Sequence, residues 1–138
     1  MNIIEIIMRN YFLKQLYPAG LTEVTVVSFS TDLSYYTLCI RTSIKPAIAV
    51  EKWGRWLMDY DTVEIELSDS FIKAVKTFNW TNNTKKICQV SVKQLEGNWI
   101  QLRFFNEEEN WHLELVVSGL VFQRCRVYKK EEEEDYAE

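Results

Sequence analysis

The chain is poor in the residues that most chemistry needs. It has one histidine, four glycines, two prolines and three cysteines in 138 residues. A lone histidine and four glycines leave little material for a catalytic triad, a zinc site or a glycine-rich phosphate loop. Cys39, Cys88 and Cys125 are odd in number, widely spaced and never in a Cys-x-x-Cys pair. They read as reduced thiols rather than a disulfide framework. No apolar run approaches the ~18 residues of a membrane-spanning helix. The apolar start, Met1–Met8, has no basic leader, is interrupted by Glu5 and precedes no small-residue cleavage site, so it does not read as a signal peptide. A cytoplasmic protein without a membrane partner is expected.

What is present suits a folded domain. Apolar residues make up 47% and charged residues 26%, an ordinary globular balance. Charge is unevenly placed. Six of the 20 acids fall in Glu131–Glu138, which leaves 14 acids against 16 bases over residues 1–130. The expected division is therefore one β-rich domain over 1–130 and an acidic, disordered tail over 131–138.

Residues 3–17 space Ile3, Ile4, Ile7, Met8, Tyr11 and Phe12 at helical intervals and stop at Pro18-Ala19-Gly20, which predicts a short N-terminal amphipathic helix. Beyond Gly20 the period becomes two. Alternating or β-branched runs near 22–30, 34–44, 61–68, 71–79, 86–95, 99–106, 111–117 and 121–128 are separated by turn residues, among them Asn82-Asn83, Gly97-Asn98 and Ser118-Gly119. The fold class is mainly β: an antiparallel meander of about eight strands, forming a sandwich or curled sheet.

Loop lengths predict register, since a slip of one residue would turn a core set outward. A four-residue loop at Glu107–Asn110 sets Leu102 against Leu115, Phe104 against Leu113 and Arg103 against Glu114. A three-residue loop at Glu96-Gly97-Asn98 sets Val92 against Leu102. A three-residue loop at Ser118-Gly119-Leu120 would pair Val117 with Val121, Leu113 with Cys125 and Glu114 with Arg124. One face is then apolar, with Gln123 its misfit. The other is polar yet carries Trp99, Phe105, Phe122 and Tyr128 among Arg103, Arg124 and Arg126.

That second face is the first candidate site. The N-terminal helix or facing strands could cover it as a second small core. Left open, it would suit a protein partner, since Trp, Tyr and Arg dominate binding hot spots, or single-stranded nucleic acid. No Lys/Arg-Gly-Phe-Gly-Phe motif is present, so nucleic acid is not the expected partner. A second set is acidic: Glu64 and Glu66 alternate with Val63, Ile65 and Leu67, and Glu107, Glu108 and Glu109 cap a hairpin. No metal-cage spacing accompanies them, so neither a cofactor nor a metal is expected. His112 has no nucleophile motif near it. Trp53 and Trp56, in the long connection Lys45–Met58, read as loop anchors or as the mouth of a small-ligand site.

The stretch Pro46…Glu51-Lys52-Trp53, Tyr60–Leu67, Phe78-Asn79-Trp80 and Cys125-Arg126-Val127-Tyr128 resembles the small β-rich immunity proteins encoded beside bacterial polymorphic toxins, in particular the group called immunity protein fifty. The likeness spans about residues 21–128 and rests on structural marks, so it carries over no catalytic residues. It implies a non-enzymatic protein of the contact-dependent inhibition type that binds and neutralises a cognate toxin by occlusion. A nuclease toxin would be basic, which would suit the acidic positions. The partner-binding set is accordingly Glu64, Glu66, Glu107, Glu108, Glu109, Trp99 and Phe105. Single-stranded nucleic-acid or small-ligand binding by the β-domain is the alternative.

Overall fold

A computed structural model describes residues 1–80 and 86–130. The acidic run 131–138 and the expected turn at Asn82-Asn83 lie outside the described residues. The protein is mainly β, with one nine-stranded mixed sheet that does not close on itself. All eight expected strands form: β2 (Glu23–Thr31), β3 (Tyr36–Thr42), β4 (Thr62–Asp69), β5 (Ile72–Phe78), β6 (Ile87–Gln94), β7 (Ile100–Asn106), β8 (Trp111–Val117) and β9 (Leu120–Tyr128). Period-two patterning drives them. Along β8 buried and half-buried residues alternate without exception, as a sheet with one covered face requires.

The N-terminal segment departs from expectation. Instead of one helix over 3–17 there are α1 (Ile3–Ile6), a two-residue strand β1 (Ile7–Met8) and α2 (Tyr11–Leu16). Arg9 turns the chain at φ 61°, and Ile7 and Met8 run parallel to Leu120 and Val121 of β9. Isoleucine is stiff at χ1 and suits a strand better than a helix, so the segment yields there to the ladder. The Asn2 side chain caps α1 through the Ile4 amide at 3.0 Å, and Asn10 Nδ2 donates to the Ile4 carbonyl at 2.8 Å.

The strand order is β1-β9-β4-β3-β2-β6-β7-β8-β5, which is not a simple meander. The β6–β7–β8 hairpins have the expected register: Val92 faces Leu102, Leu102 faces Leu115, Phe104 faces Leu113 and Arg103 faces Glu114. Gly97 and Asn98, at φ 73° and 64°, supply the left-handed backbone that the first of these tight loops needs. The expected β8–β9 hairpin is absent. Val117, Leu113 and Glu114 do not pair with Val121, Cys125 and Arg124; β9 instead pairs with β4, and β8 with β5. Neither Ser118 nor Gly119 has the positive φ of a two-residue hairpin turn, so the chain crosses to another part of the sheet.

Two short crossings curl the sheet. Ser70 and Phe71 alone join β4 to β5, third and ninth in the order. Ser118 and Gly119 alone join β8 to β9, eighth and second. Links of two residues span only on the order of 10 Å, so the two ends of the sheet must approach. The links touch: Ser118 N–H donates to the Phe71 carbonyl at 3.1 Å, and the buried Tyr36 hydroxyl donates to the Gly119 carbonyl. One core fills the curl. Leu38, Ile40, Val63, Ile65 and Leu67 from one half meet Leu102, Phe104, Leu113 and Leu115 from the other, under Ile3, Leu13 and Leu16 of the helices.

A bulge in β9 explains the misfit at Gln123. Leu67 faces Phe122 while Glu66 faces Arg124, so Gln123 is the extra residue. The shift brings Phe122 onto the core side, where it lies 6.5 Å from Phe12, and sets Val121 opposite Ser68 on the other. Both were expected on the opposite faces.

Candidate functional site

The outer face of β6, β7, β8 and β5 is open. Cross-strand register builds three rows: Gln89, Phe105, His112 and Phe78; Ser91, Arg103, Glu114 and Lys76; Lys93, Gln101, Val116 and Ala74. None of these residues is buried, so no described helix or strand lies over them. Phe78 stacks on His112 with centroids 5.6 Å apart. The Arg103 guanidinium sits 4.8 Å from the Phe105 ring centroid, and Lys73 Nζ lies 5.3 Å from that of Trp99. Gln101 donates to the Glu114 carboxylate. Within these rows Lys76, Lys93 and Arg103, with Lys73 beside them, outnumber Glu114, which makes this part of the face cationic as well as aromatic, while Glu23 stands opposite Gln89 at its β2 border.

The expected site residues fall into two groups. Trp99 and Phe105 belong to the open face. Glu107, Glu108 and Glu109 are exposed at the β7–β8 tip, and Glu107 and Glu108 share a cleft with Phe105, Gln89 and Glu23. Lys86 Nζ stands 4.0 Å from Glu109, both half exposed. Glu64 and Glu66 lie elsewhere, on β4 in the other half of the sheet, where arginines of β9 engage them. Arg126 reaches Glu64 at 3.2 Å and Arg124 reaches Glu66 at 3.3 Å. Those two acids form a cross-strand charge ladder and offer little free negative charge to a partner.

Sequence reading missed Lys73, Lys76 and Phe78 as members of the open face. Their alternation is visible, but only the non-sequential pairing of β5 with β8 brings them there. Arg41 was also missed. It is 3% exposed, stands opposite Glu64, and its Nη1 donates to the Tyr128 hydroxyl at 3.4 Å, which in turn donates to Glu64 at 3.0 Å. Burial first, then the Glu64 charge, pushes the Tyr128 hydroxyl pKa up.

The tryptophan loop closes on itself. Trp53 and Trp56 pack edge-on to Tyr60 at 5.9 and 5.3 Å, and Trp53 meets Phe12 at 5.6 Å, which anchors the loop to the core. Burial raises the Cys88 thiol to about 11 and the Cys125 thiol to about 12, so both stay protonated at neutral pH. Among the described residues no group of three or more His, Cys, Asp or Glu is placed to hold a metal ion, and no helix is long and apolar enough to cross a membrane. Comparisons with family models, curated proteins and solved structures find no match.

Proposed function

We propose that this protein is a partner-binding domain that neutralises a bacterial toxin by covering it with the open face of β6, β7, β8 and β5. The observation that carries the reading is the row Phe105–His112–Phe78 with Arg103 and Trp99 beside it. Aromatic and arginine side chains give the most binding energy per residue when a partner desolvates them. Arg103, Phe105 and His112 stand on β7 and β8, whose other face is buried in the core, so little order is lost there on docking. The acidic tip at Glu107–Glu109 would steer a basic part of the toxin toward the face. Glu64 and Glu66 contribute to the sheet and not to the interface.

Co-expression with a toxin domain encoded immediately upstream tests this reading. Growth of the host should be restored. Arrest that persists at full expression of the protein would overturn it.

The four cations on the face favour one second reading, stacking and neutralisation of a single nucleic-acid strand. Binding of an oligothymidine strand that weakens steeply with salt, and is lost in Phe105→Ala and Arg103→Ala, would replace the toxin reading.

A further inference from the structure

We propose that the free edge of β5 is a second docking element, which takes an extended partner segment of alternating acidic and apolar residues as a tenth strand. Among the described residues β5 pairs with β8 alone, so one side of its backbone faces outward. Such an edge is a template for strand addition unless it is short, covered or blocked by proline, and the lysines and the bulge of β5 restrict which strand can add rather than leave the edge open to any. At the opposite end of the sheet β1 is two residues long, whereas β5 has seven and no proline. The edge is also apolar: Phe71, Val75, Phe78 and Trp80 are 65%, 43%, 50% and 46% exposed.

The chemistry of the occupant follows from where the side chains of β5 point. Val75 and Thr77 share the core side with Leu115 and Leu113, whereas Lys76 shares the outer side with Glu114. Lys73, the extra residue of a bulge, also reaches outward to Trp99. An added strand would therefore meet Ile72, Val75 and Thr77 on one face, and Lys76 and Phe78 with Lys73 beside them on the other. A second copy of β5 would bring four lysines to one seam, and like charges on adjacent strands oppose pairing. The sheet already contains the complementary pattern. In β4, Glu64 and Glu66 face the arginines of β9 while Val63, Ile65 and Leu67 face the core. This goes beyond the face-binding reading, because it concerns backbone groups at the edge and its test needs no toxin.

The probe is a blocked synthetic peptide copying Thr62–Asp69, titrated into the full chain. Its binding should protect from exchange those amides of Ala74–Phe78 that point away from β8, and should weaken about tenfold in Lys73→Gln/Lys76→Gln. The same peptide with both glutamates replaced by lysine should not bind. N-methylation of alternate residues along one peptide edge should abolish binding to the unaltered protein, while methylation along the other edge should not. Three results would overturn the proposal: no binding at millimolar peptide, binding indifferent to methylation of either edge, or a homodimer that itself protects Ala74–Phe78.

Discussion

Arg126 stands opposite Glu64 across β9 and β4, and its guanidinium grips both carboxylate oxygens, Nε to Oε2 at 3.2 Å and Nη2 to Oε1 at 3.3 Å. The same carboxylate accepts from the Tyr128 hydroxyl, which holds the buried Arg41. Glu64 thus anchors Arg126 and Tyr128 directly and Arg41 through Tyr128, whereas Glu66 pairs with the largely exposed Arg124.

Glu64→Gln should therefore destabilise the fold by about 1–3 kcal/mol, because its loss weakens charge-assisted bonds around a buried cation. Glu66→Gln should cost under about 1 kcal/mol, as expected for an exposed pair. Urea unfolding of the two variants measures the contrast.

The core side of β8 gives a second contrast. Leu115 has no exposed surface, and Leu115→Ala should cost about 2–5 kcal/mol. The neighbouring Val116 is half-buried on the open face, and Val116→Ala should cost about 1 kcal/mol or less. Equal costs would contradict the assignment of faces.

Alkaline pH should weaken the fold in a defined window. The ordinary thiol value is 9.0, and burial raises Cys88 to about 11 and Cys125 to about 12. Below pH 9 both states hold these protons and the thiols make no difference. Between pH 9 and about 11–12 the unfolded chain loses protons that the folded chain keeps, so stability falls as pH rises. Urea midpoints at pH 8, 9 and 10 should decline, and Cys88→Ala/Cys125→Ala should flatten the slope from 9 to 10.

Local pattern and turn chemistry made most of this fold legible. Alternation located β2 to β9, and the loops at Glu96–Asn98 and Glu107–Asn110 set the register from β6 to β8. The order of the remaining strands was not legible, because Asp69-Ser70 and Ser118-Gly119 look like turns between neighbouring strands, yet neither β4 and β5 nor β8 and β9 pair. Everything that depended on those crossings followed. Glu114 faces Lys76 rather than Arg124, Phe122 turns inward through the Gln123 bulge, and Glu64 and Glu66 become partners of arginines. Trp99 and Phe105 remained where alternation set them, on a face with no described cover.

The hairpin tip should act on rate rather than lifetime. Reversing Glu107, Glu108 and Glu109 to lysine should slow association with a basic toxin domain about tenfold at low salt and hardly change dissociation. Stopped-flow binding at two ionic strengths separates the two. An unchanged association rate would remove the acidic tip from the account.

The open face is the central claim, and the affinity of the proposed partner, a toxin domain encoded beside this chain, for Trp99→Ala/Arg103→Ala/Phe105→Ala tests it most directly. Circular dichroism and urea midpoint should confirm that this variant remains folded. Titration calorimetry should then show affinity reduced at least about a hundredfold, in line with the loss of two or more hot-spot side chains. Wild-type affinity in the folded variant would contradict the account and place the binding surface elsewhere on the protein.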